Sequence, residues 1–431
     1  MNVLDAEKNI GIETFFTSFK GIGGKLRTFP EDFIVSEISS YPSKNECGRF
    51  AIADVTTTNW ETNLLVRELS NRLRISRQRI GFAGNKDKRA KTTQLISFDN
   101  IQIEKISKLK ISDIAINNVY RSNRPVKIGD LLGNRFDIKI RNIDLSTNHK
   151  KIQNLVSYLL DNGGFPNFYG IQRFGIIRPI THIVGKYIVH GDFEKAVMTY
   201  IGNPINGEDG EVYALREKLQ KTHNFSAALS SYPSFLNFEK AILNKLVVNQ
   251  KDFVGALKEL PKNLLTMFVY AYQSYLFNKI LSERIKRKIP LNEAIVGDVI
   301  IPIRNGVFDE QIINVDESNI NKANTQISKG KAVVSGVLFG SDSSLSCGEM
   351  GEIEKKILDG EKINLRDFII TEIPYMSSSG SRRPILAPIK NFEFSLNIDD
   401  AVLILKFELN KGCYATSVLR EFMKTNSIRN Y

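Results

Sequence analysis

Histidine, cysteine and tryptophan are scarce in this chain, with four, three and one copies in 431 residues. Cys47, Cys347 and Cys413 lie far apart and none falls in a CxxC pair, so neither a zinc ribbon nor a disulfide framework is indicated. His149, His182, His190 and His223 are scattered too, and His182 and His190 are too distant for ligands on one helix face. No metal site is expected. No apolar run approaches the roughly 20 residues of a membrane span. The N-terminal stretch MNVLDAEKNIGIETFF lacks a basic segment followed by an apolar one, so no export signal is expected and the cytoplasm is the expected compartment. Gly21 to Gly24 is glycine-rich but precedes a proline-interrupted strand and fits no dinucleotide fingerprint. There is no internal repeat and no low-complexity tract.

Positive charge is abundant. Lys and Arg total 59 against 47 Asp and Glu, a net charge of +12, which favours a polyanionic partner. The cations concentrate around one acid. Asp87, in GFAGNKDKRAKTTQLIS (Gly81 to Ser97), is surrounded in sequence by Arg72, Arg74, Arg77, Arg79, Lys86, Lys88, Arg89 and Lys91. Cations of this kind hold a phosphate backbone, and opposite charge nearby keeps a carboxyl ionised. Gly84-Asn85 is a turn signal, so the segment reads as a loop between a helix and a strand that brings a carboxylate to nucleic acid.

Hydrophobic alternation indicates strands at Leu26–Ile38, entered through a proline turn, and at Arg49–Asn59, Thr92–Phe98 and Arg135–Ile143. Leucines at 65, 69 and 73 indicate a helix capped near Asn59–Thr62, and Ile152–Leu160 reads as another. From Phe193 to Lys288 the pattern is mainly helical, including a long run from Leu264 to Ile285. Residues 290–385 read as strand and loop, with FIITEI as a strand and Ser377–Ser381 as a flexible connector. Phe392–Asn410 reads as a hairpin and Ala415–Lys424 as a closing helix. The strands interleave too irregularly for a parallel βαβ repeat, so a mixed α/β (α+β) protein is expected.

GFAGNKDKRAKTTQ resembles the catalytic motif of the TruD family of tRNA pseudouridine synthases. Four further segments agree in order: GIGGKLRTFPEDFIVSEI (Gly21 to Ile38), PNFYGIQRFG (Pro166 to Gly175), AYQSYLFN (Ala271 to Asn278) and KGCYATSVLREFMK (Lys411 to Lys424). GNRF (Gly133 to Phe136) and GSRRP (Gly380 to Pro384) are weaker echoes. The resemblance implies a discontinuous catalytic domain, residues 1–190 and 386–431, on a mixed, largely antiparallel sheet. Residues 191–385 would form an inserted family-specific α/β domain. It implies isomerisation of uridine to pseudouridine, by family precedent at position 13 in the D arm of tRNA, with Asp87 as the nucleophile. Arg27 and Lys86 would pair with Asp87. Phe33, Tyr169 and Tyr414 would line the base pocket, and Asn167 would orient the loop or base. The family often carries Phe where this chain has Tyr169 and Tyr414, a change that keeps a stacking face. Lys88, Arg89, Lys91 and Arg173 are candidates for RNA backbone contacts. The expected partner is tRNA, with no cofactor, no membrane and no protein partner, for a monomeric enzyme. The alternative is a non-catalytic RNA-binding or tRNA-folding protein, which would gain nothing from an acid at position 87. A zinc deaminase would need a His/Cys cluster.

Overall fold

The structure, a computed structural model, describes residues 3–86, 88–144, 146–304, 307–427 and 430–431; Asp87 lies outside them. The chain divides into two compact units. One comprises Thr17–Phe165 and Ala387–Tyr431, the other residues up to Phe16 together with Pro166–Leu386.

The first unit is built on a nine-stranded sheet. Its central order is Lys390–Asn397, Val402–Asn410, Leu131–Ile143, Phe33–Ser39, Lys91–Asp99, Phe50–Thr58 and Ile114–Ser122, with Gly23–Lys25 and Ile80–Phe82 added at the side. Neighbours run antiparallel except Phe33–Ser39 beside Lys91–Asp99. Alternation sets the faces: Phe136, Ile138 and Ile140 are buried along one long strand, and Leu403, Leu405, Phe407 and Leu409 along its neighbour. Helix Thr62–Leu73 starts on Glu61, whose side chain accepts from Asn63 N, and stops at Arg74 in the left-handed region. Its Leu65 and Leu69 pack on Ala51, Ala53, Ile96 and Phe98. Each such aliphatic side chain contributes about 1.5–3 kcal/mol by burial.

The parallel pair matters most for the site. Ile34 is in register with Lys91, so both strands begin at the same edge of the sheet. The chain leading into Phe33 and the loop leading into Lys91 therefore emerge side by side, although more than fifty residues separate them. The crossover between them holds strand Phe50–Thr58 and helix Thr62–Leu73, the length a parallel connection requires.

The second unit is mainly helical around the long helix Lys262–Lys286, which is buried on most of its circumference. Helix Thr181–Val189 packs against it so closely that a Cβ on Gly185 would sit 2.0 Å from the Phe268 carbonyl oxygen. A small antiparallel sheet of Val299–Arg304, Ala332–Leu338 and Ser381–Pro384 lies in the same unit. Residues before Phe16 belong here because the long helix holds them. Asn278 Nδ2 donates to the Ile10 carbonyl at 2.9 Å and Ser282 Oγ to that of Gly11 at 2.8 Å.

Several expectations need correcting. The two compact units part at Phe165/Pro166, and helix Thr181–Val189 packs on the long helix of the second. PNFYGIQRFG thus falls in the second unit. Residues 290–385 contain two helices, Ile320–Ser328 and Gly348–Glu361. FIITEI is not a strand: it links the 3₁₀ turns Leu365–Phe368 and Pro374–Met376, which bury Phe368, Ile370, Ile373 and Met376 in the helical core. Ser377–Ser381 is no loose connector. Ser377 Oγ accepts from Ile370 N, Ser378 Oγ from Gln273 Nε2, and Ser381 opens a strand of the small sheet.

His182 is 5% exposed and its Nε2 meets the Asn9 carbonyl at 2.9 Å, so that nitrogen carries the hydrogen. Nδ1 has no partner. Burial pushes the imidazole down to about 4, against the opposing pull of the Asn9 carbonyl. The unfolded side chain titrates near 6.5. Between these values the unfolded chain takes up a proton that the folded chain refuses, so stability present above pH 6.5 is lost as the pH falls towards 4. The loss from this group reaches about 3 kcal/mol. Urea unfolding at pH 7 and pH 4.5 should show a smaller acid penalty for His182→Gln than for the parent chain. Equal penalties would remove His182 from the acid response.

Candidate active site

The Asp87 loop is fixed on both flanks of that residue. Before it, Lys86 N donates to Thr62 Oγ1 at 2.8 Å, and Thr62 Oγ1 donates to Gln94 Oε1 at 3.2 Å. After it, the Ala90 carbonyl accepts from Asn59 N at 3.0 Å. The Lys86 side chain turns onto the sheet. Its Nζ donates to Asn134 Oδ1 at 2.9 Å and sits 3.1 Å from Glu37 Oε2, off the line of a hydrogen bond. Glu37 and Asn134 are direct cross-strand partners, so the sheet itself sets this cradle. The Lys86 and Glu37 side chains are 6% and 1% exposed. Ser39 Oγ donates to the other Glu37 oxygen at 2.6 Å.

Phe33 and Arg27 come together on the same unit. Arg27 adopts φ 54°, and its guanidinium lies 4.1 Å from the centre of the Phe33 ring, a cation–π contact. Phe33 is buried and meets Phe136 edge-on at 6.4 Å. The turn before it is braced by Asp32, which takes a forked contact of 2.8–3.0 Å from Arg141. Burial works to raise the Asp32 carboxyl, but Arg141 and the Phe29 amide hold it below the usual carboxylate range. Arg89 reaches this segment through a 3.3 Å bond to the Arg27 carbonyl. Lys88 and Arg89 are exposed and Lys91 is half-buried. Tyr414, half-buried, stands just before helix Ala415–Met423. It follows a strand whose last residue, Asn410, pairs with Gly133, the neighbour of Asn134.

Asn167, Tyr169 and Arg173 lie in the second unit. Asn167 is buried; its Nδ2 donates to the Pro384 carbonyl at 2.9 Å and its Oδ1 accepts from Arg383 at 2.7 Å. The Arg383 guanidinium lies 4.1 Å from the centre of the Tyr169 ring. Asn278 closes on the Tyr169 backbone from the long helix, accepting from its N at 2.9 Å and donating to its O at 3.0 Å. In each unit an arginine thus lies on the ring of a candidate aromatic, Arg27 on Phe33 and Arg383 on Tyr169. Among the described residues, no group of three or more His, Cys, Asp or Glu could hold a metal ion.

The model of the family described as tRNA pseudouridine synthase D (TruD) matches residues 9–422. The chain belongs to the TruD family. A protein of Methanosarcina barkeri (strain Fusaro / DSM 804) named "Probable tRNA pseudouridine synthase D" is 42% identical over 437 residues, covering all of both chains. One of the same name from Pyrococcus abyssi (strain GE5 / Orsay) is 38% identical over 95% of this chain and 98% of its own. A crystal structure of a TruD protein from Methanosarcina mazei is 40% identical, covers both chains fully and superposes with a TM-score of 0.86. The TruD chain described here is accordingly a pseudouridine synthase, an RNA isomerase.

Sequence reasoning missed three residues that position the TruD motifs. Glu37 was hidden in a strand pattern. Asn134 and Arg383 sit in the two weakest echoes, GNRF and GSRRP, and those echoes were their signal: one holds Lys86, the other Asn167 and Tyr169. The strongest C-terminal motif is largely structural. Arg420 pairs with Glu421 at 2.8 Å; Glu421 accepts from Thr17 N and Oγ1, both at 3.0 Å, and Lys424 donates to the carbonyls of Thr17 and Phe19. This TruD helix clamps the start of the first unit.

Proposed function

We propose that this enzyme isomerises uridine 13 in the D arm of tRNA, with the Asp87 carboxylate as nucleophile and without a cofactor. The N1–C1′ bond breaks, the detached uracil turns, and a C5–C1′ bond forms. The base loses its C5 proton and gains one on N1, so atoms and charge balance with no net redox change. A covalent step through a carboxylate divides this exchange into easier ones. The observation that carries the reading is that the chain is held on either side of Asp87, at Lys86 by Thr62 and at Ala90 by Asn59, with Lys86 buried against Glu37 and the next cations, Lys88 and Arg89, exposed. Arg27, beside Phe33, and Lys86 are assigned to keeping Asp87 ionised. The target base must leave its stack to be reached. Phe33, Tyr169 and Tyr414 are each assigned a stacking contact with it, and Asn167 a polar one.

The test is to incubate purified protein with an unmodified tRNA transcript and no added cofactor, then map pseudouridines. Formation at position 13 is expected; none, or formation only elsewhere, removes this target. Lys88, Arg89 and Lys91 are assigned to phosphates. Each phosphate neutralised adds about 0.7–0.9 to the log–log salt slope of binding. Neutralising all three should therefore flatten that slope by roughly 2.1–2.7 and weaken different tRNAs alike, since phosphate contacts carry little sequence information. An unchanged slope in a salt titration would return these cations to the solvated surface.

A further inference from the structure

The second unit contains a cavity of about 400 Å³ lined by Tyr169, Arg173, Tyr270, Gln273, Ser274, Leu338 and the segment Ser377–Ser381. Its volume lies in the range that holds a small ligand, roughly 300–1,000 Å³. The wall is rigid. Gln273 Nε2 donates to Ser378 Oγ at 2.8 Å, Ser341 N to the Ser378 carbonyl at 2.9 Å and Asp342 N to the Ser379 carbonyl at 3.0 Å. Gly380 adopts φ +88°, and a Cβ there would meet Ser343 Oγ at 2.1 Å, so only glycine closes this turn.

The groups left over on that wall share one character. Arg173 makes a single long contact, Nε to Ser274 Oγ at 3.4 Å, and among the described residues its terminal nitrogens have no partner. The hydroxyls of Ser379 and Ser381, both exposed residues, make no hydrogen bond to another described residue. Tyr270 stands at 44% exposure. Among the described residues the lining holds one cation and no acid. A site with a guanidinium, free hydroxyls and an open aromatic face suits a phosphate joined to a flat ring.

We infer that this cavity binds the tRNA nucleotide next to the target uridine, the two sharing the Tyr169 wall, with its phosphate on Arg173 and the serine hydroxyls and its base against Tyr270. The inference rests on tRNA as the substrate and is independent of which uridine is modified. It is tested by tRNA binding to full-length Tyr270→Ala, Ser379→Asp and Arg173→Gln proteins whose melting temperatures are checked against the parent. Tyr270→Ala should raise Kd about tenfold through lost stacking. Ser379→Asp should raise it by a similar factor through repulsion. Arg173→Gln should also lower the salt slope by about 0.7–0.9, one phosphate's share. Tyr270→Ala and Ser379→Asp, both at exposed positions, binding within twofold of the parent would overturn the assignment. So would weakening confined to Arg173→Gln with a lowered melting temperature, which would make that residue a brace. Pseudouridine mapping reads Asp87 and position 13 separately: an enzyme modifying another uridine leaves the Kd result standing, and unchanged Kd values sink the cavity whatever uridine is modified.

Discussion

Replacing Asp87 with Asn should reduce pseudouridine formation to the uncatalysed background while tRNA affinity stays close to that of the parent. The amide keeps the size of the side chain and removes the anion, so the step that needs a nucleophile has none. Affinity should persist because phosphate contacts supply most of it, and the exposed Lys88 and Arg89 are untouched. Single-turnover assays at saturating enzyme separate the two, since weakened binding is overcome by concentration and lost chemistry is not. Appreciable pseudouridine from the Asn variant would assign the nucleophile to another group. A parallel loss of binding would make Asp87 a structural acid of its loop.

The second large effect is expected at Glu37, which the sequence pattern alone presents as an ordinary strand residue. Glu37→Ala leaves the Lys86 ammonium, 6% exposed, with Asn134 as its remaining acceptor among the described contacts. Removing one partner of a buried pair costs about 3–5 kcal/mol, because the other charge stays desolvated. For a unit of this size that corresponds to a fall in melting temperature of roughly 6–20 °C. Activity should fall as well, since Lys86 adjoins Asp87. Glu37→Met combined with Lys86→Met removes both charges and should recover much of the stability without the activity. A Glu37→Ala protein that melts with the parent would mean that water replaces the carboxylate at Lys86. If the double variant were fully active, neither residue would belong to the site.

Much of the secondary structure was legible because its signals are local. The strand ending in Ile143, the helix over Thr62–Leu73 and the hairpin after Phe392 follow from alternation, leucine spacing and cap residues close in sequence. FIITEI was misread for an equally local reason. Its β-branched residues have strand propensity, but the helical core of the second unit takes Phe368, Ile370 and Ile373 one by one from a turning backbone. Propensity yields there to burial. No composition change marks the division of the compact units at Phe165/Pro166. Only the packing of Thr181–Val189 on the long helix does so.

The site divides along the same line. The amino-acid sequence by itself determined the family, through five motifs in order, and it named the candidates for the chemistry: one acid within a run of cations, and the aromatics. Tertiary structure decided the partners. The parallel register of Ile34 with Lys91 brings the Arg27–Phe33 segment beside the Asp87 loop, and the cross-strand pairing of Glu37 with Asn134 makes the cradle for Lys86. In the same way Arg383, more than two hundred residues from Asn167, reaches both Asn167 and Tyr169. The echoes GNRF and GSRRP flag Asn134 and Arg383 as residues, but nothing in the sequence pairs either of them with its partner. Strand register and helix packing are cooperative properties of the whole unit, and a carboxylate or guanidinium carries no local mark of the charge it will be folded against.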